Sequence, residues 1–151
     1  MSRRQGREIA LQALYQLEIN SAESAEQEEM YENLALDTAF QEAEAKVSQA
    51  TREFARSLVE GTRAHISEID ACIEEASRDW KLTRMATVDR NIARIAVYEM
   101  KFAEPALTPN IAINEAVELV KKYGAEDDYQ FVNGLLGAVA RERGETPEPQ
   151  C

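Results

Sequence analysis

Apolar residues recur along most of the chain at the three- and four-residue spacing of amphipathic helices. The first such stripe runs from Ile9 to Leu17, and the most regular one runs from Val88 to Met100. No stretch of the sequence shows the sustained alternation of apolar and polar residues that is typical of a strand. The pattern therefore predicts an all-α fold of six to eight helices, with seven as the central estimate.

The boundaries of these helices follow from local signals. Ser2 followed by Gln5 is typical of a capping box, which predicts that the first helix begins there. Pro105 and Pro109 cannot continue the helix before them, and Gly124 fits the end of the next one. The stripe changes phase near His65, which predicts a break at that point.

Two segments carry weaker patterns. Residues 20–29 are small and acidic and have no apolar stripe, so we expect a loop there and a short second helix with Met30, Leu34 and Phe40 on its apolar face. Asn133-Gly134 interrupts the last stripe. A glycine inside a helix costs about 1 kcal/mol relative to alanine, so we expect Gly134 to let another helix approach closely.

The expected organisation is one helical domain over residues 1–143. The break near Trp80 and the proline-bearing linker divide it into two packed lobes, 1–80 and 81–143. The tail 144–151 has no apolar residue to anchor it and is predicted to be disordered.

The charge balance restricts the partners. The chain has 28 acids against 17 bases and a formal net charge of −11, so its far field repels phosphate. A nucleic-acid site must then be a local basic patch, and a basic protein suits the remaining surface.

The cysteines and the apolar runs indicate a compartment. Cys72 lies in an apolar stripe and is predicted to be a buried free thiol, while Cys151 lies in the tail, so the two form no disulfide framework. No apolar run approaches the length of a membrane span. We therefore expect a cytoplasmic protein without a membrane segment.

The sequence offers little for catalysis. It has one histidine, His65, and two cysteines, which are too few and too far apart for a structural zinc site. No nucleophile elbow, P-loop or dinucleotide-binding loop is present. We expect no enzymatic activity, no metal and no cofactor.

The start of the chain breaks a local rule. Arg3, Arg4 and Arg7 precede the first acid, Glu8, although cations at the positive end of a helix are unfavourable. Guanidinium groups match phosphate oxygens in two-pronged geometry, and the helix N-terminus itself favours anions. We call Arg3, Arg4 and Arg7 the arginine tip, and we expect it to bind a few nucleotides of single-stranded RNA. The alternative is a solubilising terminus.

A second basic region spans residues 78–101, with six bases against three acids. Arg90 and Arg94 lie four residues apart in it, and so on one face of a helix. They could face RNA or a partner, or they could pair with acids of the chain itself. The last alternative is favoured for Arg94, which lies close to the apolar stripe.

Three stretches together resemble the NusB family of bacterial transcription antitermination factors. They are RRQGREIALQALYQ, VDRNIARIAVYEM and INEAVELVKKYGAEDDYQFVNG, in the family's order. The resemblance implies two three-helix bundles with an added helix. It also implies binding to the boxA element of ribosomal-operon RNA together with the ribosomal protein NusE, in an antitermination complex with RNA polymerase.

The resemblance also assigns residues. The family's arginine-rich motif corresponds to the arginine tip, and its partner-facing positions fall on Tyr15, Asp89 and Asp127, with Arg90 beside them. From its place next to the first stripe alone, Tyr15 is expected in the core, and stacking on a base or anchoring a protein interface is the alternative. Gly6 departs from the family pattern and weakens the first helical turn by up to about 1 kcal/mol.

Two other functions remain open at this stage. A NusB-like domain also precedes the catalytic domain of some RNA methyltransferases, but this sequence contains no glycine-rich loop for a methyl donor. A helical homodimer that binds only protein is the other alternative. An RNA titration separates it from an antitermination factor.

Overall fold

The computed structural model describes residues 2–20, 23–43, 45–77 and 82–143. Within these ranges the protein has seven α-helices, one 3₁₀ turn and no strand, which confirms the all-α prediction. The helices are α1 (Arg3–Ile19), α2 (Ala25–Glu42), α3 (Gln49–Ala64), α4 (Ile66–Ser77), α5 (Thr87–Lys101), α6 (Pro109–Tyr123) and α7 (Asp128–Arg143). The 3₁₀ turn is Leu82–Arg84.

The chain divides into two compact units, Met1–Glu60 and Gly61–Cys151. The single domain over 1–143 with lobes at 1–80 and 81–143 stays a prediction. Trp80 and the tail 144–151 lie outside the described residues, and so does Cys151.

In the first unit, α1 packs against α2. Ile9, Ala10, Ala13, Leu14 and Leu17 are all buried, as their stripe predicts. α2 differs from the prediction, because it begins at Ala25 rather than near Met30. The Ser24 hydroxyl accepts a hydrogen bond from the Gln27 amide at 3.2 Å, and such a cap stabilises a helix start by about 1 kcal/mol.

The buried face of α2 also differs from the prediction. Met30 and Leu34 are 57% and 62% exposed, whereas Ala35, Leu36, Ala39 and Phe40 are buried. Only Phe40 of the three predicted positions lies in the core. The sequence of α2 has a weak apolar stripe, so small alanines rather than the larger side chains mark its buried face.

In the second unit, α5 lies in the centre and packs against α4, α6 and α7. Ile92, Ile95, Val97 and Met100 are at most 1% exposed, which is consistent with the most regular stripe in the sequence. The predicted break falls at His65, between α3 and α4, and the His65 ring stacks on Phe102 with a centroid distance of 4.6 Å.

One prediction about a single residue in the second unit is confirmed and one is wrong. Cys72 is buried, as its place in the apolar stripe predicts. Gly134 admits no neighbouring helix, since a Cβ built there has nothing within 4 Å.

Candidate nucleic-acid interface

The N-terminus of α1 is fixed by three hydrogen bonds. The Ser2 hydroxyl accepts from the Gln5 amide at 3.1 Å, as an N-cap does. In a complete capping box the Gln5 side chain would accept a hydrogen bond from the Ser2 amide. That amide donates to Thr51 Oγ1 at 3.0 Å instead. The Gln5 side chain donates instead to the Ala45 carbonyl at 3.2 Å. The arginine tip is therefore held by α3 and by the segment before α3.

The tip is built around one aromatic ring. The guanidinium carbons of Arg3 and Arg7 lie 5.0 and 5.4 Å from the centroid of Phe54. A cation over an aromatic face is stabilised by about 0.5–1 kcal/mol when exposed and by about 2 kcal/mol when desolvated. Both arginines therefore carry their charge on a fixed support.

Gly6 explains how the ring comes so close. A Cβ at position 6 would lie 2.6 Å from Cδ2 of Phe54, a distance that real Cβ atoms essentially never show. The glycine that weakens the helical turn is thus the residue that admits the aromatic support. Sequence reasoning missed Phe54, because its place in the α3 stripe predicts core packing and nothing more.

The three arginines differ in exposure. Arg3 and Arg4 are exposed, whereas Arg7 is only 3% exposed. The first turn of α1 contains no acid. The surface therefore presents two guanidinium groups at the positive end of a helix dipole, with a third cation beneath them. Such an arrangement binds phosphate groups.

The candidate partner position in the first unit is Tyr15. Its side chain is 41% exposed, and Ile19, one turn further along α1, is 60% exposed. The structure therefore places Tyr15 at the surface and not in the core. An exposed aromatic beside an exposed aliphatic residue is the kind of anchor that protein interfaces use.

In the second unit, Asp89 is buried at the start of α5. Its side chain is 4% exposed, and it forms a hydrogen bond with the side chain of Asp128 at the start of α7. Burial raises the pKa of Asp89 to about 7, and the hydrogen bond and negative charge of Asp128 add to the increase. Among the described residues, Asp89 Oδ1 has no hydrogen-bond partner. Asp89 therefore keeps its proton to a higher pH than an ordinary aspartate does.

The remaining candidates have separate places. Arg90 donates to the carbonyls of Leu82 and Met85 at 3.1 and 2.9 Å, so it fastens the 3₁₀ turn to α5. Asp127 is exposed in the connection between α6 and α7, directly before Asp128.

Arg94 pairs with an acid of the chain, which confirms the favoured alternative. Its Nε and Nη2 donate to the two carboxylate oxygens of Asp70 at 2.8 and 3.0 Å. Two parallel hydrogen bonds of this kind fix both groups, so Arg94 holds α5 to α4.

The described residues contain no helix that is long and apolar enough to cross a membrane. They also contain no group of three or more acids, histidines or cysteines that could hold a metal ion.

Comparisons with known proteins agree on one family. The family model described as NusB family matches residues 4–141. A transcription antitermination protein NusB from Myxococcus xanthus is 47% identical over 141 residues, which cover 92% of this chain and 94% of the relative. One from Desulforamulus reducens is 42% identical over 145 residues, covering 96% and 94%.

Solved structures give the same result. T. maritima NusB superposes with a TM-score of 0.78 at 32% identity, covering 94% of this chain and 92% of that one. A structure of the antitermination factors NusB and NusE in complex with dsRNA superposes with a TM-score of 0.77 at 28% identity, covering 93% and 96%.

Proposed function

This chain belongs to the NusB family, and we propose that it is an RNA-binding transcription antitermination factor. It binds the boxA element of ribosomal-operon RNA together with the ribosomal protein NusE, within the antitermination complex of RNA polymerase. It acts by binding rather than by catalysis. Because bacterial transcripts are made in the cytoplasm, the proposal places the protein there.

The observation that carries the proposal is the arginine tip on its aromatic support. Arg3 and Arg4 meet the RNA phosphates, and Arg7, held over Phe54 at 5.4 Å, adds positive charge from beneath. The tip is the local basic patch that RNA binding requires on a chain with a net charge of −11.

The candidate partner residues are divided into two groups by their exposure to solvent. Tyr15 in the first unit and Asp127 in the second contact NusE directly, since both are exposed. Arg90 positions the start of α5. Asp89 contacts Asp128, and so positions the residue that directly follows Asp127. The acidic surface complements a basic ribosomal protein and speeds its docking.

The match to the relatives favours this function over the methyltransferase alternative. The Myxococcus and Desulforamulus proteins are both named transcription antitermination proteins, and the alignments cover 94% of each. Neither relative is named a methyltransferase.

The test is a titration with a labelled boxA-type RNA over a salt series, with and without purified NusE. Each lost phosphate contact lowers the log–log salt slope by about 0.7 for single strands, so Arg3→Ala/Arg4→Ala should lower it by about 1.4. Arg56→Ala is the control, because its guanidinium donates to Asn33 Oδ1 at 2.9 Å and lies outside the tip.

Either of two results contradicts the proposal. Equal slopes for the wild type and the double variant would show that the tip makes no phosphate contact. Binding to NusE without binding to RNA at low salt would favour a protein-interaction module. The mass of the free protein, measured by light scattering, tests the homodimer alternative.

A further inference from the structure

A groove of about 630 Å³ runs between α6 and α7. The two helices pack against each other and are joined by residues 124–127, so they run antiparallel. The groove volume falls in the range of about 300–1,000 Å³ that is typical of ligand sites. None of the residues assigned so far to RNA or to the partner lines it.

The charge of the groove is the reverse of the charge of the chain. The sequence has 28 acids against 17 bases. Yet among the described residues that line the groove, the charged ones are Lys121 and Arg141, and none is an acid. This lining disfavours a basic peptide and favours an anionic ligand.

The two cations are separated along the groove. The Lys121 ammonium lies 5.0 Å from the centroid of Tyr129, at the start of α7. Arg141 lies near the end of α7, where its Nη1 is 3.4 Å from the position that a Cβ on Gly137 would take. The Arg141 guanidinium therefore lies beside Gly137, which is eight residues from Tyr129 along α7, a rise of about 12 Å. A ligand that meets both cations therefore carries more than one negative charge along its length.

The groove is lined by both apolar and polar side chains, with Ile113 and Val117 among the apolar ones. Gly134 has nothing within 4 Å of its Cβ position, so the α7 backbone is open there to a close ligand. Asn114 on α6 and Asn133 on α7 line the same groove and are exposed. Their amides offer both donors and acceptors, which is what the edge of a nucleobase requires.

We propose that the α6–α7 groove is a second single-stranded RNA site, additional to the arginine tip, which holds a few nucleotides. Lys121 and Arg141 face phosphates, Asn114 and Asn133 face a base edge, and the base lies over the backbone at Gly134. The inference rests on the proposed RNA-binding function. It also explains why the exposed face of α7 carries a glycine without a packing role.

The experiment uses the same labelled boxA-type RNA with two pairs of variants. Gly134→Leu fills the groove, and Gly134→Ala is its control, because a methyl group meets nothing there. Lys121→Ala removes a groove cation. Lys122→Ala is its control, because it removes the same charge from the neighbouring residue, which does not line the groove.

We expect Gly134→Leu to weaken RNA binding about tenfold, the loss expected when one base is displaced, and Gly134→Ala to bind as the wild type does. Lys121→Ala should lower the salt slope by about 0.7 and Lys122→Ala should leave it unchanged. Thermal unfolding of each variant verifies that it is folded. Lys121→Ala tests the site without adding a side chain to the groove, so it remains informative if Gly134→Leu does not fold.

The inference is overturned if Gly134→Leu and Lys121→Ala bind RNA as the wild type does while Arg3→Ala/Arg4→Ala does not. That result leaves the proposed function in place. If Gly134→Leu retains RNA but loses binding to an acidic peptide, the groove is a protein site instead. If the wild type binds no RNA, both proposals fail.

Discussion

The first unit and the second unit each bury a charged side chain near the start of a helix, with opposite results. Arg7 in α1 is 3% exposed, and Asp89 in α5 is 4% exposed. The dipole of the helix disfavours the arginine and favours the aspartate. Yet the guanidinium keeps its charge, whereas the pKa of the carboxyl is raised to about 7.

The difference lies in what faces each group. Arg7 lies over the electron-rich face of Phe54, which attracts a cation. Asp89 meets a second acid, Asp128, and its Oδ1 has no partner in the described part of the chain. Immediate neighbours therefore outweigh the helix dipole. An aspartate can also release its charge by taking a proton, and an arginine cannot.

The largest expected effect comes from removing the aromatic support. Phe54→Ala should lower the free energy of unfolding by about 3 kcal/mol, because it deletes a large apolar side chain together with the cation–π contacts of Arg3 and Arg7. Phe54→Leu keeps most of the apolar volume and removes only the aromatic face, so its loss should be about half as large. Urea denaturation measures both. Equal losses for the two variants would mean that the aromatic face adds nothing.

The next effect is a pH dependence that Arg7 cannot show. Because the pKa of Asp89 is raised to about 7 from 3.8, the folded state holds a proton that the unfolded state releases between these values. The contribution of Asp89 to stability is therefore greatest below about pH 4, and it falls as the pH rises to about 7, by up to a few kcal/mol.

Asp89→Asn isolates this contribution, because an amide cannot ionise. The variant should lose less stability than the wild type between pH 5 and pH 8, as measured by urea midpoints at the two pH values. Parallel curves for the two proteins would show that Asp89 does not titrate in this range.

A smaller effect concerns the glycine beside each buried charge. A Cβ at Gly124 would lie 2.8 Å from Asp89 Oδ1 and 2.9 Å from the Val120 carbonyl, whose backbone cannot easily move. The three atoms nearest to a Cβ at Gly6 all belong to the Phe54 side chain. Gly124→Ala should therefore be destabilising by about 2 kcal/mol and Gly6→Ala by about 1 kcal/mol. Thermal unfolding measures which of the two variants loses more stability. A larger loss for Gly6→Ala than for Gly124→Ala contradicts the explanation.

The smallest effect comes from changing the shape of the cation without changing its charge. Arg7→Lys replaces a planar group that stacks on Phe54 with a compact ammonium, and we expect a loss of about 0.5–1 kcal/mol. The same substitution in the Phe54→Leu background should have no such effect. A double-mutant cycle by urea denaturation measures the difference, and purely additive losses would rule out stacking as the cause.

The sequence predicted the helices well where the apolar stripe is strong. The stripes of α1 and α5 lie in the core, and the break near His65 is present. It failed at α2, where the capping hydroxyl of Ser24 and two first-turn acids begin the helix without an apolar stripe. Local capping energies of about 1 kcal/mol decide such a boundary, and a hydrophobic pattern does not contain them.

The arginine tip could be located from charge alone, but its construction could not. Phe54 reaches Arg3 and Arg7 from α3, almost fifty residues away, through the space that Gly6 leaves. The pairing of Asp89 with Asp128 likewise depends on contact between α5 and α7. Periodicity assigns a residue to a face of one helix, whereas these sites need the residue that lies opposite on another.

The cation–π contact between Phe54 and Arg7 affects the conformational entropy that is lost on binding. A free arginine side chain loses about 2 kcal/mol of rotamer freedom when it becomes fixed. Arg7 is already fixed when the chain folds, because its buried guanidinium lies on the ring. In the proposed RNA complex this cation is preorganised, and the ordering of its side chain opposes folding rather than complex formation.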